Sequence, residues 1–157
     1  MSPVLDYKFD AKRPIVISLG GSIMYPEKID IEFLKKFNAF IRSQVKKGRR
    51  FIIICGGGKL ARNFQEAASA LNKVSDYDKD WIGIHATRIN AQLLRTIMHD
   101  ICNHVVIDTR AKLSRLTKPV SFASGWRPGS SSDRVAVYLA IDYGASIFIN
   151  ASNIDHV

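Results

Sequence analysis

Three clusters of glycine and small hydroxyl residues could handle phosphate: Gly20-Gly21-Ser22, Gly56-Gly57-Gly58-Lys59, and the stretch from Gly125 to Asp133. Each exposes backbone N–H groups that no side chain covers. Glycine matters there because a Cβ would hold an anion away from the amides. A helix beginning at such a turn adds a dipole that favours negative charge. Lys59 and Arg62 follow the triple glycine three residues apart, on one side of a helix. Arg62 can grip phosphate in a two-pronged fork, and Lys59 can act as a mobile point charge. GWRPGSSSD (125–133) adds Arg127, three hydroxyls and Asp133 at another helix start. One such loop is as readily a plain tight turn, and a serine there as readily a helix cap. Three loops along the strand ends of one parallel sheet point to a phosphate-bearing ligand.

Two familiar phosphate signatures fit poorly. The P-loop pattern G-x-x-x-x-G-K-[ST] fails because Ile53 occupies the required glycine and Leu60 the hydroxyl position. Gly56, Gly58 and Ala61 meet the dinucleotide pattern loosely, with Asp76, Asp78 or Asp80 about 20 residues on. That match ignores the other two loops.

The elements that must position these loops alternate in type. RPIVISL (13–19) and FIIIC (51–55) read as buried strands running into glycines. Ile31, Phe33, Leu34, Phe37, Phe40, Ile41 and Val45 recur at helical spacing until Gly48. A second helix follows the triple glycine, and a third is expected from about Trp81 to Ile101. HVVID (104–108), PVSFA (119–123) and ASIFIN (145–150) are expected strands. SSDRVAVYLAIDYG (131–144) is expected to be a helix with serine caps at its start and Gly144 as its stop. The order predicts a three-layer α/β/α sandwich with a mainly parallel sheet over residues 13–157, after a flexible leader at 1–12.

Composition narrows the class of protein. The 157 residues are 46% hydrophobic and 24% charged, a globular mix for one domain. Apolar runs reach only about five residues, against the ~18 that a membrane span needs. The polar N-terminus is no secretory signal. Cys55 and Cys102 sit in apolar stretches and are expected to be buried free thiols in a reducing cytoplasm. No histidine stands at metal-ligand spacing from them. The net charge of +9 suits a polyanionic partner. KKGRR (46–50) lacks the interleaved aromatics of a nucleic-acid surface and reads as a helix end and turn.

GGGKLARNF (56–64), DWIGIHATRINAQLL (80–94), PGSSSD (128–133) and NIDHV (153–157) together resemble archaeal-type UMP kinases of the amino-acid-kinase family. The most specific piece is Asp80, Gly83, Ile84, Thr87, Arg88, Asn90 and Ala91. The resemblance implies transfer of the γ-phosphoryl of ATP to UMP, with Mg²⁺ bound to the ATP, and a homo-oligomer, hexameric in relatives. It places Gly21 and Ser22 by the transferring phosphates, and Gly57 and Gly58 with Arg62 on phosphate. Asp80 is assigned to the ribose of UMP. The segment Trp126, Arg127, Pro128, Gly129, Ser130, Ser131 and Ser132 is assigned to the UMP phosphate. Asp133 would orient catalytic lysines, and Ser152 would begin the ATP contacts.

Departures from the family pattern accompany these matches. Many members carry lysine where this chain has Ser18, a charge that Lys59 or a later lysine would have to supply. Ser131 and Ser132 replace threonines, and His156 replaces a glycine. The resemblance covers the acceptor-binding part, and the family's C-terminal ATP-binding domain is not among these residues. A nucleotide-binding module of the same fold without catalysis is the competing expectation.

Overall fold

The computed structural model describes residues 13–153. The expected leader and the His156 departure lie outside the described residues. Four parallel strands form one sheet: β1 (Ile15–Leu19), β2 (Phe51–Cys55), β3 (Val120–Ala123) and β4 (Ile147–Ala151), in the order β3-β2-β1-β4. Five α-helices connect them: α1 (Gly21–Met24), α2 (Ile31–Lys46), α3 (Gly58–Leu71), α4 (Asp76–Ile97) and α5 (Ser132–Asp142).

Strand alternation divides the core into two layers. Ile15, Ile17 and Leu19 of β1 pack with Phe51, Ile53 and Cys55 of β2 against Leu34 and Ile41 of α2 and Leu94 of α4. Val16, Ile52 and Ile54 face the other way, onto Val135, Ala136 and Leu139 of α5. Covering both faces lets β1 and β2 be apolar almost throughout, as parallel strands require. The expected three-layer sandwich is therefore what forms. The exception is β4, an edge strand whose Ile147, Phe148 and Ile149 are each about 40% exposed.

Local signals set the helix ends. Asp30 accepts from the Phe33 N–H at 2.9 Å to start α2, and Gly48 at φ +82° follows its end. Gly144, at φ +59°, likewise follows α5. The third expected helix starts five residues earlier than its apolar periodicity suggests. Ser75 caps it by accepting from Asp78 N–H at 3.1 Å, and Asp76 and Asp78 complement the dipole in the first turn. It also stops at Ile97, short of Ile101.

HVVID does not form a strand. Cys102 and Ile107 each make a single parallel bridge to β3, and between them His104 and Val105 swing out to solvent. The Asn103 side chain accounts for the break. Its amide donates to Val120 O and Ser121 Oγ, and its oxygen accepts from the backbone of Thr117 and Lys118. A side chain replaces the ladder.

Both thiols are buried and unpaired, as expected. Burial pushes the Cys55 thiol far above its ordinary range and that of Cys102 upward as well. Neither should react with a disulfide reagent such as DTNB in the folded protein at pH 8, and both should react at once in denaturant. Rapid labelling of either thiol under native conditions would contradict this packing.

Candidate functional site

The three glycine loops leave the C-terminal ends of β1, β2 and β3, which are neighbours in the sheet. Backbone meets backbone between the first two. A Cβ on Gly21 would stand 2.0 Å from Gly58 N, and one on Gly58 would stand 2.3 Å from Gly21 O. Gly58 also sits at φ +62°. No other residue fits either position, so these glycines are needed for loop-to-loop packing as well as for openness.

Helix α4 holds the loops from behind. Asn90, 4% exposed, donates from Nδ2 to Gly56 O at 2.9 Å and Gly57 O at 3.3 Å. With those carbonyls tied down, the turn is fixed from its protein side. Thr87 Oγ1 accepts from Gly125 N–H at 2.8 Å while donating to Ile84 O at 2.6 Å. Asp80 Oδ2 accepts from Gly129 N–H at 2.8 Å. Spacings of seven and three residues put these side chains on one side of α4.

The loops and helices line an open cavity of about 460 Å³, within the range of small-ligand sites. Gly57, Gly58 and Arg62 border it at the start of α3, Asp80 on α4, and Arg127 and Gly129 to Ser132 across from them. Arg62 and Arg127 are exposed, and neither guanidinium forms a hydrogen bond or ion pair among the described residues. Two cations thus stand ready beside the N-terminus of α3, whose Gly57 cap position has no side chain to cover it. Ser131 is the N-cap of α5, accepting from Arg134 N–H at 3.2 Å. Its hydroxyl proton is left to point at a ligand.

Some expected residues lie elsewhere. Trp126 turns out of the cavity: its Nε1 donates to Ile107 O at 3.2 Å and its ring stacks on Tyr138. Apolar packing against the α5 layer takes that ring. Pro128 borders the loop but not the cavity. Lys59 also lies outside the lining, and its N–H donates to Tyr25 O at 3.2 Å. Gly21 and Ser22 begin α1 behind the triple glycine, and Ser152 comes within 3.5 Å of where a Gly20 Cβ would be. Asp133 also stands apart from the lining, with Oδ1 accepting from the buried Ser18 hydroxyl at 2.6 Å. Sequence reasoning placed Gly125 in a phosphate loop, missed Gln65 as a cavity residue, and met Ala61, Gly83, Ile84 and Thr87 only as motif letters. Helical spacing from Asp80 was the available signal for Thr87.

The family model of the amino acid kinase family matches residues 13–157. The chain belongs to the amino acid kinase family. Among relatives, uridylate kinases of Pyrococcus abyssi and Archaeoglobus fulgidus are 33% and 37% identical over 145 residues, 91% of this chain. The chain spans 64% of the length of each. The crystal structure of the Archaeoglobus fulgidus uridylate kinase superposes with a TM-score of 0.78 at 34% identity, covering 92% of this chain and 65% of that one. A UMP kinase structure from Ureaplasma parvum, 20% identical, shares the fold with a TM-score of 0.67 over 93% of this chain and 69% of that one. In this amino acid kinase chain, then, the α4 side chains hold the glycine loops in place.

Thr87→Val keeps the shape of that side chain but strands the buried Gly125 N–H. It should cost about 1–3 kcal/mol of folding stability, measured by urea unfolding. Thr87→Ser should recover most of the loss. Equal stability in all three proteins would show that the Thr87–Gly125 bond contributes nothing.

Proposed function

We propose that this chain binds UMP in the cavity beneath the serine loop and serves transfer of the γ-phosphoryl group of ATP to it, giving UDP. One observation carries the reading: the open N-terminus of α3, Arg62, Arg127, Asp80 and the serine loop converge on a single cavity. Phosphoryl transfer needs positioning and charge neutralisation rather than covalent chemistry by the protein. Backbone amides at Gly57 and Gly58 and the two guanidinium groups can supply both. The serine hydroxyls of residues 130–132 would close over the phosphate from the opposite side. Asp80 keeps one oxygen for a sugar hydroxyl while the other holds Gly129.

The donor belongs on the far side of the Gly21–Gly58 contact. Chain order reverses between β1 and β4, and open α/β sheets bind ligands in the crevice at such a reversal. Gly20 to Ser22 and Ser152 flank that crevice. Mg²⁺ would arrive there on the phosphates of ATP, as part of the substrate. Asp133, oriented by Ser18, stands between the two sides and would orient a lysine toward the transferring phosphoryl group. Relatedness to uridylate kinases also supports a homo-oligomer and a cytoplasmic setting.

Isothermal calorimetry on the 157-residue chain tests the acceptor half of this reading. UMP should bind, and Arg62→Ala should weaken binding by roughly 1.5–3 kcal/mol, the scale of a charge-assisted hydrogen bond. Arg62→Lys should recover only part, since a point charge cannot reproduce the fork. Coupled UDP formation by this chain alone should be slow or absent, because it spans only 64% of the length of the related uridylate kinases. An alanine variant that binds UMP like the parent would remove Arg62 from the site. Robust turnover by the chain alone would place the donor site within these residues.

A further inference from the structure

Gln65 lines the cavity from α3. Its Nε2 donates to the Lys79 carbonyl at 2.8 Å. A carbonyl only accepts, so chemistry settles which end of the amide points there. The nitrogen faces Lys79 and the oxygen faces away. Gly83 sits directly beside this amide, where a Cβ would come within 3.1 Å of Nε2. The side chain is therefore half-buried and held, while its Oε1 makes no hydrogen bond among the described residues.

The position of this acceptor is informative. Lys79 immediately precedes Asp80, so the Gln65 amide is anchored one peptide away from the carboxylate. Asp80 spends Oδ2 on Gly129 and keeps Oδ1. Gln65 and Asp80 both line the cavity, and each carries an acceptor oxygen without a partner among the described residues. Neither would be placed to meet a phosphate, which offers only acceptors of its own. Arg62, the phosphate ligand, lies one turn earlier on α3, about 4.5 Å along the axis. A ribose 5′-phosphate spans that separation, with the base lying further on. A ribose presents two hydroxyl donors on neighbouring carbons, which two acceptors, one tethered at Lys79 and one on Asp80, could take up.

We infer that Gln65 is a specificity-determining residue, whose Oε1 accepts from one hydroxyl of a ribonucleotide's cis-diol while Asp80 accepts from the other. This rests on the UMP reading above. It makes the site selective for the ribose as a pair of hydroxyls rather than for one of them.

Calorimetry with UMP, 2′-deoxy-UMP and 3′-deoxy-UMP on the 157-residue chain tests it. The parent should bind each deoxy analogue roughly tenfold more weakly than UMP. Gln65→Met, similar in length but without an acceptor, should abolish discrimination against one analogue. Asp80→Asn, which can still accept from Gly129, should reduce it against the other. Gln65→Lys retains a donor for the Lys79 carbonyl and should behave like Gln65→Met, separating the acceptor from the helix-to-helix tie. Ratios of affinities are read, so the added lysine charge cancels between nucleotides bearing the same phosphate. If UMP binds but both Gln65 variants leave both ratios unchanged, the inference fails and the UMP reading stands. A change confined to UMP against CMP would assign Oε1 to the base and overturn it as well. Absence of UMP binding by the folded parent would overturn both readings together.

Discussion

Backbone amides can grip a ligand only if the carbonyls of the same turn are satisfied elsewhere. In this protein Asn90 meets that requirement for the triple-glycine loop, bonding both Gly56 O and Gly57 O from a buried position on α4. Glycine turns are otherwise the least ordered segments a chain can have, and ordering them costs more backbone entropy than any other residue. The Asn90 bonds and the Gly21–Gly58 packing offset that cost before any ligand arrives. Preorganised donors are also worth more at the moment of reaction than donors that must first be arranged. Thr87 and Asp80 extend the same support to the Gly125 and Gly129 amides, so one helix sets the spacing between two loops from different strands.

Charge is distributed in keeping with that scaffold. The chain carries an excess of cations, but those near the cavity are few: Arg62 and Arg127, neither paired among the described residues. The carboxylates nearest them are bonded to neutral donors instead. Asp80 meets an amide and Asp133 a serine hydroxyl. Had either carboxylate paired with an arginine, the cavity would have lost cationic field toward a phosphate. Ion pairs that do form lie away from the site. Arg42 and Asp100, for example, hold α2 to the end of α4, and Arg42 holds the Asp100 carboxyl well below its usual range. Excess charge elsewhere on the surface bears on solubility and long-range attraction, not on the geometry of the cavity.

The fold was legible because parallel strands buried on both faces announce themselves as short apolar runs, and FIIIC and PIVISL do so without ambiguity. HVVID looked the same and was not a strand. Its competitor was the Asn103 side chain, whose bonds to residues 14 to 18 positions later carry no local pattern. The early start of α4 was missed for a related reason: its first turn is acidic and capped, and apolar periodicity is silent there. At the site, glycine and charge clustering located the loops and the cations. Side-chain direction was not legible. Trp126 belongs to the expected segment but turns into the α5 layer, because an indole with a backbone acceptor at Ile107 is better satisfied there. Gln65 carried no signal in the sequence, since only the crossing of α3 and α4 brings it to Lys79.

Ser18 shows why a departure from a family pattern is best interpreted through its neighbours. Alternation along β1 sends odd-numbered side chains to the α2 and α4 layer, so residue 18 must face α5. The start of α5 presents Asp133 there. A lysine at this point would bring a charge to the carboxylate, whereas serine brings an oriented hydroxyl proton at 2.6 Å. The carboxylate is therefore positioned without being neutralised. β1 lies between β2, whose loop borders the cavity, and β4, whose end approaches Gly20. A charged group held at the end of this strand stands where the two sides of the site meet. An uncompensated aspartate there repels phosphate unless a cation comes to it. The Ser18–Asp133 arrangement thus makes a cation from outside the β1 strand a requirement of the proposed chemistry, since strand parity sets the face of residue 18 and its hydroxyl supplies no charge.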